Sequence, residues 1–237
     1  MEATVPFASN PALLTAFWSA ATIFFYIVSK VIYRRWPQSW LSPLIVTPMA
    51  LIALALLLRA NYAEYIHATH WLVAMLGPVT VAFAIPIFEE RHTIRRYWPV
   101  LAFGVVVGST TAMLTAWALA SLLSIDGALR LSLLPRSIST PFAMTISQDI
   151  GGVPDLTAIF VVITGVCGAA LGETLLRFLP IRSTLARGAL FGMGAHGAGV
   201  AKAHQIGSEE GSIAGLVMVL VGLVNVLAAP LISMLLR

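Results

Sequence analysis

LSLLPRSISTPFAMTISQDI, residues 131–150, and GALFGMGAHGAGVAKAHQI, residues 188–206, are two polar interruptions in an otherwise apolar chain. The first carries a dense run of hydroxyl, amide and charged side chains from Arg136 to Asp149. The second is broken by glycines and carries His196 and Lys202. A helix that faces lipid cannot satisfy so many polar groups, whereas backbone enclosed by protein can. Both stretches are therefore predicted to be broken or re-entrant helices in the second half of the chain.

The rest of the chain has the composition of a membrane protein. Of its 237 residues, 59% are hydrophobic and only 10% are charged, and the mean hydropathy is +0.91. Such a chain has too little polar surface for a water-soluble domain. We predict an all-α integral membrane protein with about seven or eight membrane-embedded helices, one domain over residues 1–237 and a repeat-containing, transporter-like fold. Hydropathy predicts full spans at residues 13–32, 41–58, 71–88, 98–123, 156–176 and 213–236.

Basic residues predict how the chain is threaded through the membrane. They cluster at residues 30–35, 91–96 and 177–187, and short cytoplasmic loops collect lysine and arginine. The three clusters share one side if residues 131–150 dip into the membrane and return. This topology places the basic side in the cytoplasm and the N-terminus outside. Residues 1–10 contain no base, so the first helix is not predicted to be a cleaved signal. Nucleic acid is not a predicted partner, because the net charge of +4 lies in these clusters.

The starts of short helices within the polar stretches predict an anion site. Ser139-Thr140-Pro141 opens one such helix, and His196-Gly197-Ala198-Gly199 opens another in a similar layout. A helix that begins inside the membrane points unpaired N–H groups and about half a positive charge at a ligand. Proline at the first helical position loses no hydrogen bond, and a preceding hydroxyl can cap the helix or face the ligand. The candidate substrate-binding residues are Thr80, Arg136, Ser137, Ser139, Thr140, Pro141, His196, Gly197, Gly199 and Lys202.

Each of these residues also has a structural interpretation. Arg136 either faces the anion or extends to lipid headgroups, and Lys202 either faces the anion or forms an ion pair. His196 is either a ligand or a packed neutral side chain, and the proline and glycines also fit kinks and close helix packing. Glu173 is predicted to pair with Arg177, four residues later on the same helix.

Signatures of catalysis and metal binding are absent from the sequence. His196 and His204 are not spaced as two ligands on one helix face, and no Gly-x-Ser-x-Gly motif occurs. Cys167 is the single cysteine of the chain. The protein is therefore predicted to be no enzyme and to hold no metal or cofactor, and the sequence does not indicate a coupling ion.

Three ordered blocks resemble the LrgB family. They are GPVTVA at residues 77–82, PRSISTPFA at 135–143 with IGG at 150–152, and AHGAG at 195–199 with GSEEG at 207–211. The resemblance extends from about Pro37 to the C-terminus. In and next to the third block, three hydroxyl residues that are usual in the family are replaced here by Met193, Ala195 and Val200.

The resemblance implies a multi-pass protein of the bacterial inner membrane. Family members are described as partners of LrgA/CidA holin-like proteins and are linked to murein hydrolase export and cell lysis. Chloroplast relatives exchange glycolate and glycerate, and bacterial relatives are tied to pyruvate, lactate or glycolate. We therefore expect an alternating-access carrier of small monocarboxylates, by analogy a homodimer, with the fewer hydroxyls indicating a less hydroxylated acid. The alternative is a holin- or antiholin-associated regulator of murein hydrolase export and lysis.

Overall fold

The protein is described by a computed structural model that covers residues 10–36 and 38–235. These residues are almost wholly helical and include no β-strand, which confirms the all-α prediction. Residues 1–9, Pro37 and Leu236, on which parts of the predictions fall, lie outside the described part. The helices are α1 (Pro11–Arg35), α2 (Pro43–Leu57), α3 (Tyr62–Ala74), α4 (Leu76–Ala82), α5 (Ala84–Glu89), α6 (Arg91–Leu122), α7 (Gly127–Leu133), α8 (Thr140–Ile150), α9 (Pro154–Phe178), α10 (Thr184–Ile206) and α11 (Ser208–Leu235).

Helix lengths agree with a membrane protein. Five stretches are long and apolar enough to cross a bilayer, whereas α2, with 15 residues, covers about 22 Å at 1.5 Å per residue. The span predicted at residues 71–88 is longer in the structure, because the helical run begins at Tyr62 and is broken into α3, α4 and α5. The five long stretches are Pro11–Arg35, Tyr62–Glu89, Arg91–Leu122, Pro154–Phe178 and Ser208–Met234.

The chain forms two compact units, with the boundary between Val79 and Thr80. In the first unit α1 packs against α2 and α3. Polar contacts join these helices: the Ser29 and Thr47 oxygens of α1 and α2 lie 2.7 Å apart, and the Trp71 indole of α3 donates to Ser19 Oγ of α1 at 2.8 Å. The second unit contains both polar stretches that the sequence singles out.

The first polar stretch is a re-entrant hairpin, here called hairpin 1 (residues 127–150). α7 and a 3₁₀ turn (Leu134–Ser137) form its entering leg, and α8 forms its returning leg. α8 ends at Gly151, whose φ of 90° is accessible to glycine at little cost. Beyond that end, the Val153 N–H donates to the Ser132 hydroxyl at 2.7 Å, so the chain has returned to the level at which it entered. The chain thus turns back within this stretch, and the dip into the membrane predicted for residues 131–150 stays a prediction.

The second polar stretch is also a hairpin, here called hairpin 2 (residues 184–206). Its two legs meet at His196, the one residue inside α10 with non-helical backbone angles. A Cβ added to Gly199 on the second leg would overlap the carbonyl oxygen of Phe191 on the first, so the legs lie side by side. At the base, the Thr184 hydroxyl donates to the Glu209 carboxylate at 3.1 Å. The two ends of the hairpin therefore lie close together.

The two hairpins enter from opposite ends of the second unit. α9 starts at the base of hairpin 1 and ends near the base of hairpin 2, and α11 runs back, placing Ser233 Oγ 3.5 Å from the Asp149 carbonyl oxygen. Each hairpin is thus followed by one long spanning helix, which is the repeated layout expected of transporters with inverted repeats. α6 ends beside hairpin 1, with Ser121 Oγ 3.4 Å from an Arg130 nitrogen, so the basic clusters at 91–96 and 177–187 share the other end.

A buried group of three hydroxyls stabilises the base of hairpin 1. Ser132, Ser147 and Thr157 have no exposed surface. The Thr157 hydroxyl lies 2.7 Å from Ser147 Oγ and 3.0 Å from the Ser132 carbonyl oxygen, which joins α9 to both legs. A buried hydroxyl without a hydrogen-bond partner costs free energy. The hydrogen bonds of this group therefore hold the end of hairpin 1 in one position.

Replacing Thr157 by valine is expected to lower the stability of the protein by about 1–3 kcal/mol, because it leaves buried polar partners unpaired. The measurement is the thermal unfolding midpoint of the purified protein in detergent. Thr174→Val is the matched control, since the exposed Thr174 hydroxyl bonds only to its own helix at the Ala170 carbonyl. Equal midpoints for the two variants would contradict the assigned role.

Candidate functional site

The tips of the two hairpins meet inside the second unit. The backbone of Arg136, in the 3₁₀ turn of hairpin 1, lies within hydrogen-bonding reach of the His196 imidazole at the tip of hairpin 2. Gly165, near the middle of α9, faces the same ring, because a Cβ built there would lie 3.2 Å from it. Two segments that are far apart in sequence therefore come together beside the middle of α9 and form a candidate site.

His196 combines an unusual backbone with an unused polar atom. Its φ is 38°, a left-handed conformation that costs a non-glycine residue roughly 1–3 kcal/mol. The side chain is only 4% exposed, and its Nε2 has no hydrogen-bond partner among the described residues. Nε2 can accept a hydrogen bond from a ligand hydroxyl, and it can donate to a carboxylate when the ring is protonated. Strain and an orphaned polar atom at one position are typical of a binding site.

Arg136 is the cation that lies at the meeting point. Its Nη1 donates to Ser137 Oγ at 3.3 Å, and no carboxylate of the described residues lies within 4.0 Å of it. A carboxylate partner is present for three further cations of the two hairpins, namely Arg130, Arg187 and Lys202. A half-buried charge inside a membrane protein needs a counter-charge. A bound anion would supply it.

The start of α8 adds further donors beside Arg136. Ser139 is 8% exposed, and its hydroxyl makes no capping hydrogen bond, so the first N–H groups of this 11-residue helix have no side-chain cap. Thr140 is the first helical residue and Pro141 the second, one position later than predicted. Helix starts of this kind favour anions.

A small, partly open cavity adjoins the tips. Ser137 lines it together with residues of α6, α10 and α11. Asn225 is 3% exposed, and its Nδ2 donates to Ser109 Oγ at 2.8 Å and to the Val221 carbonyl oxygen at 2.7 Å. Sequence reasoning missed Ser109 and Asn225, although an asparagine within an apolar span is a signal that could have found them. The lining residues are Gly108, Ser109, Ala112, Met113, Leu134, Ser137, Ile138, Met193, Val221 and Asn225.

Lys202 lies in an ion pair on the second leg of hairpin 2. Its amine is 2.8 Å from Glu173 Oε2, and the other oxygen of that carboxylate is 3.0 Å from Arg177, which confirms the predicted Glu173–Arg177 pair. Lys202 is six residues beyond His196, about 9 Å along the helix. Of the two interpretations that the sequence leaves open, the ion pair is therefore the one that the geometry supplies.

A double substitution tests whether Lys202 also binds substrate. Glu173→Gln alone is expected to destabilise the protein by about 1 kcal/mol, a modest amount because Glu173 is partly exposed. Adding Lys202→Met should restore the unfolding midpoint and leave uptake of carboxylate above half of the unmodified level. Loss of uptake by the well-folded double variant would place Lys202 in the binding site.

The remaining predicted residues are distributed around the tips. Gly197 adjoins His196 and is exposed, whereas Gly199 is buried where the two legs pack. Thr80 lies on α4, three residues before Phe83, whose ring centroid is 5.7 Å from that of Phe142 on α8. Substrate contacts of these residues stay predictions. Within residues 10–36 and 38–235, no group of three potential His, Cys, Asp or Glu metal ligands occurs.

Comparisons with known proteins agree with this architecture. The family model for LrgB-like proteins matches residues 22–235. YwbG of Bacillus subtilis is 39% identical over 209 residues, covering 88% of this chain and 93% of the relative. The antiholin-like protein LrgB of Bacillus subtilis is 31% identical over 189 residues, covering 80% and 82% of the two chains. The holin-like protein CidB of Staphylococcus epidermidis is 28% identical over 214 residues, covering 90% and 93%.

No solved structure matches the chain. The relatives above are named as holin-like or antiholin-like membrane proteins where a role is given, and not as enzymes. The family match covers the two hairpins and every helix from within α1 onward. The resemblance seen in the three sequence blocks is thereby confirmed, and the chain belongs to the LrgB-like family of membrane proteins.

Proposed function

We propose that the protein carries a small monocarboxylate of the glycolate, glycerate, lactate or pyruvate type across the bacterial inner membrane by alternating access. The observation that carries this proposal is Arg136, a half-buried cation at the meeting point of two hairpins with no carboxylate partner in the described part of the chain. A monocarboxylate supplies one negative charge and two acceptor oxygens, which suit a guanidinium group.

Neighbouring groups complete the proposed pocket. The start of α8 and the start of the second leg of hairpin 2 both direct backbone N–H groups toward the region of the tips. The hydroxyls of Ser137 and Ser139 and the free Nε2 of His196 provide further hydrogen-bonding atoms there. These groups lie on short turns of the two hairpins, and the turns approach one another closely. Only a small acid would therefore fit between them.

The opposed hairpins also suit an alternating-access cycle. A ligand at the tips has hairpin 1 toward one membrane face and hairpin 2 toward the other. Movement of either hairpin with its following helix would open a path to one side while the other side stays closed. The polar tips would move with the substrate. The protein is proposed to be a homodimer, whose broad apolar interface would stay fixed while the tips move.

Uptake into proteoliposomes that contain the purified protein alone tests the proposal. Labelled glycolate is offered with excess unlabelled glycerate, lactate, pyruvate or an unrelated amino acid. A carrier should show saturable uptake, counterflow and competition by the acids but not by the amino acid. Uptake that is absent, or that rises without saturation for every solute, would refute the carrier function.

A second candidate function is regulation of murein hydrolase export and cell lysis as a holin- or antiholin-associated protein. The names of two relatives, holin-like CidB and antiholin-like LrgB, favour this function more directly than they favour transport. A regulator of this kind would act with an LrgA/CidA-type membrane partner and would need no substrate cycle. Non-selective leakage of a trapped dye, appearing only when such a partner is co-reconstituted, would support it over the carrier.

A further inference from the structure

The cavity beside the tips contains a buried amide with one hydrogen-bonding atom to spare. Both protons of the Asn225 Nδ2 are used, one by Ser109 Oγ and one by the Val221 carbonyl oxygen. The orientation of the amide is fixed, since a backbone carbonyl oxygen can only accept, so the nitrogen must face Val221. Asn225 Oδ1 has no donor among the described residues, and Asn225 belongs to the wall of the cavity.

Ser109 completes a pair of complementary atoms. Its oxygen accepts from Asn225, so its own proton remains available to donate. The cavity wall therefore offers one acceptor, Asn225 Oδ1, beside one donor, the Ser109 hydroxyl. The remaining wall is largely apolar, with Met193 and Val221 among its members. A hydroxyl group, which both donates and accepts, satisfies both atoms, whereas an oxo group can only accept and leaves Asn225 Oδ1 unpaired.

Ser137 connects this cavity to the proposed carboxylate site. It lines the cavity, and its Oγ accepts a hydrogen bond from Arg136 at 3.3 Å. A carboxylate held by Arg136 therefore places the substituent on its neighbouring carbon toward the cavity. We infer that Asn225 and Ser109 form a subsite for the hydroxyl group on carbon 2 and make the protein prefer 2-hydroxy acids to 2-oxo acids. This inference rests on the proposed carrier function.

The test compares uptake of labelled lactate and labelled pyruvate, which differ only in this group, by the full-length protein in proteoliposomes. Asn225→Leu keeps the side-chain size but removes the acceptor. It is expected to lower kcat/KM for lactate about tenfold while changing that for pyruvate less than about twofold. Asn225→Val, which also removes the acceptor, serves if the leucine variant does not insert. Thr115→Val is the matched control on α6, because that exposed hydroxyl bonds to the Thr111 and Ala112 carbonyls.

The outcomes separate this inference from the proposed function. A lactate-specific loss in an Asn225 variant, with an unchanged ratio in the control, supports the subsite. Equal losses for both acids, or no change, overturn the subsite but leave the carrier function intact. Absence of saturable uptake of either acid by the unmodified protein overturns both.

Discussion

Replacing Arg136 by glutamine is expected to lower carboxylate uptake by about a hundredfold, because a buried charge-assisted hydrogen bond to an anion is worth roughly 2–5 kcal/mol. Glutamine keeps much of the side-chain length and polarity, so the change isolates the charge. The measurement is the initial rate of labelled glycolate uptake at subsaturating concentration, normalised to the amount of inserted protein. Arg136→Lys should retain part of the activity, since it keeps the charge but loses the planar fork.

The matched control for this prediction is Arg130→Gln in the same hairpin. Arg130 already has a carboxylate partner, Asp126, at 3.5 Å, and its guanidinium lies 4.1 Å from the Trp117 ring centroid. Its loss should reduce uptake less than about threefold, because this cation already has a counter-charge, and the carboxylate of the pair is largely exposed. If Arg136→Gln retained full uptake, the anion pocket at the tips would have to be abandoned.

Replacing Gly199 by alanine is expected to have the largest effect on stability. The added methyl group would overlap the Phe191 carbonyl oxygen, and backbone cannot move aside as a flexible side chain can. We expect a loss of about 3 kcal/mol, at the upper end of the range for overpacked sites, together with loss of uptake. Thermal unfolding of the purified protein in detergent measures the first effect.

Gly197→Ala provides the comparison, because it lies two residues away in the same hairpin. A Cβ at Gly197 would meet nothing within 4 Å, and its backbone is helical. Its unfolding midpoint should match that of the unmodified protein, since alanine favours helix more than glycine does. A midpoint for Gly199→Ala as high as that of Gly197→Ala would show that the two legs do not pack as described.

Much of the architecture could be predicted from sequence because the membrane restricts the choices so strongly. Apolar length predicts the spans, and the polar run of residues 131–150 excludes a lipid-facing helix, which together with the basic clusters predicts a dip and return. The path of residues 188–206 could not be predicted. Their glycines fit a kinked span as well as a hairpin, and the reversal depends on a single residue, His196, whose backbone angles leave no sequence pattern.

The site could be predicted in part. Charges, caps and glycine-flanked histidines stand out in an apolar chain, and they pick out Arg136, Ser139 and His196, which the structure brings close together. The ion pair of Lys202 depends on Glu173 from another helix, and only the fold brings the two together. Asn225 is harder to predict because it is a single polar residue in the most hydrophobic span, outside the two polar stretches.

The hairpin form of residues 184–206 has a consequence for how the protein is made. Its two legs, 12 and 10 residues on either side of His196, extend about 18 and 15 Å, too short for either to be inserted as a span of roughly 30 Å. Both legs pack on α11, with Gly192 against Ala214 and Val200 beside Gly215. During synthesis α9, which precedes the hairpin, can cover one of its faces, with Gly172 against Phe191, whereas the face toward α11 stays uncovered until that helix follows. α11 thus completes the packing of hairpin 2, so the meeting point of the two hairpin tips is assembled only after α11 has been made.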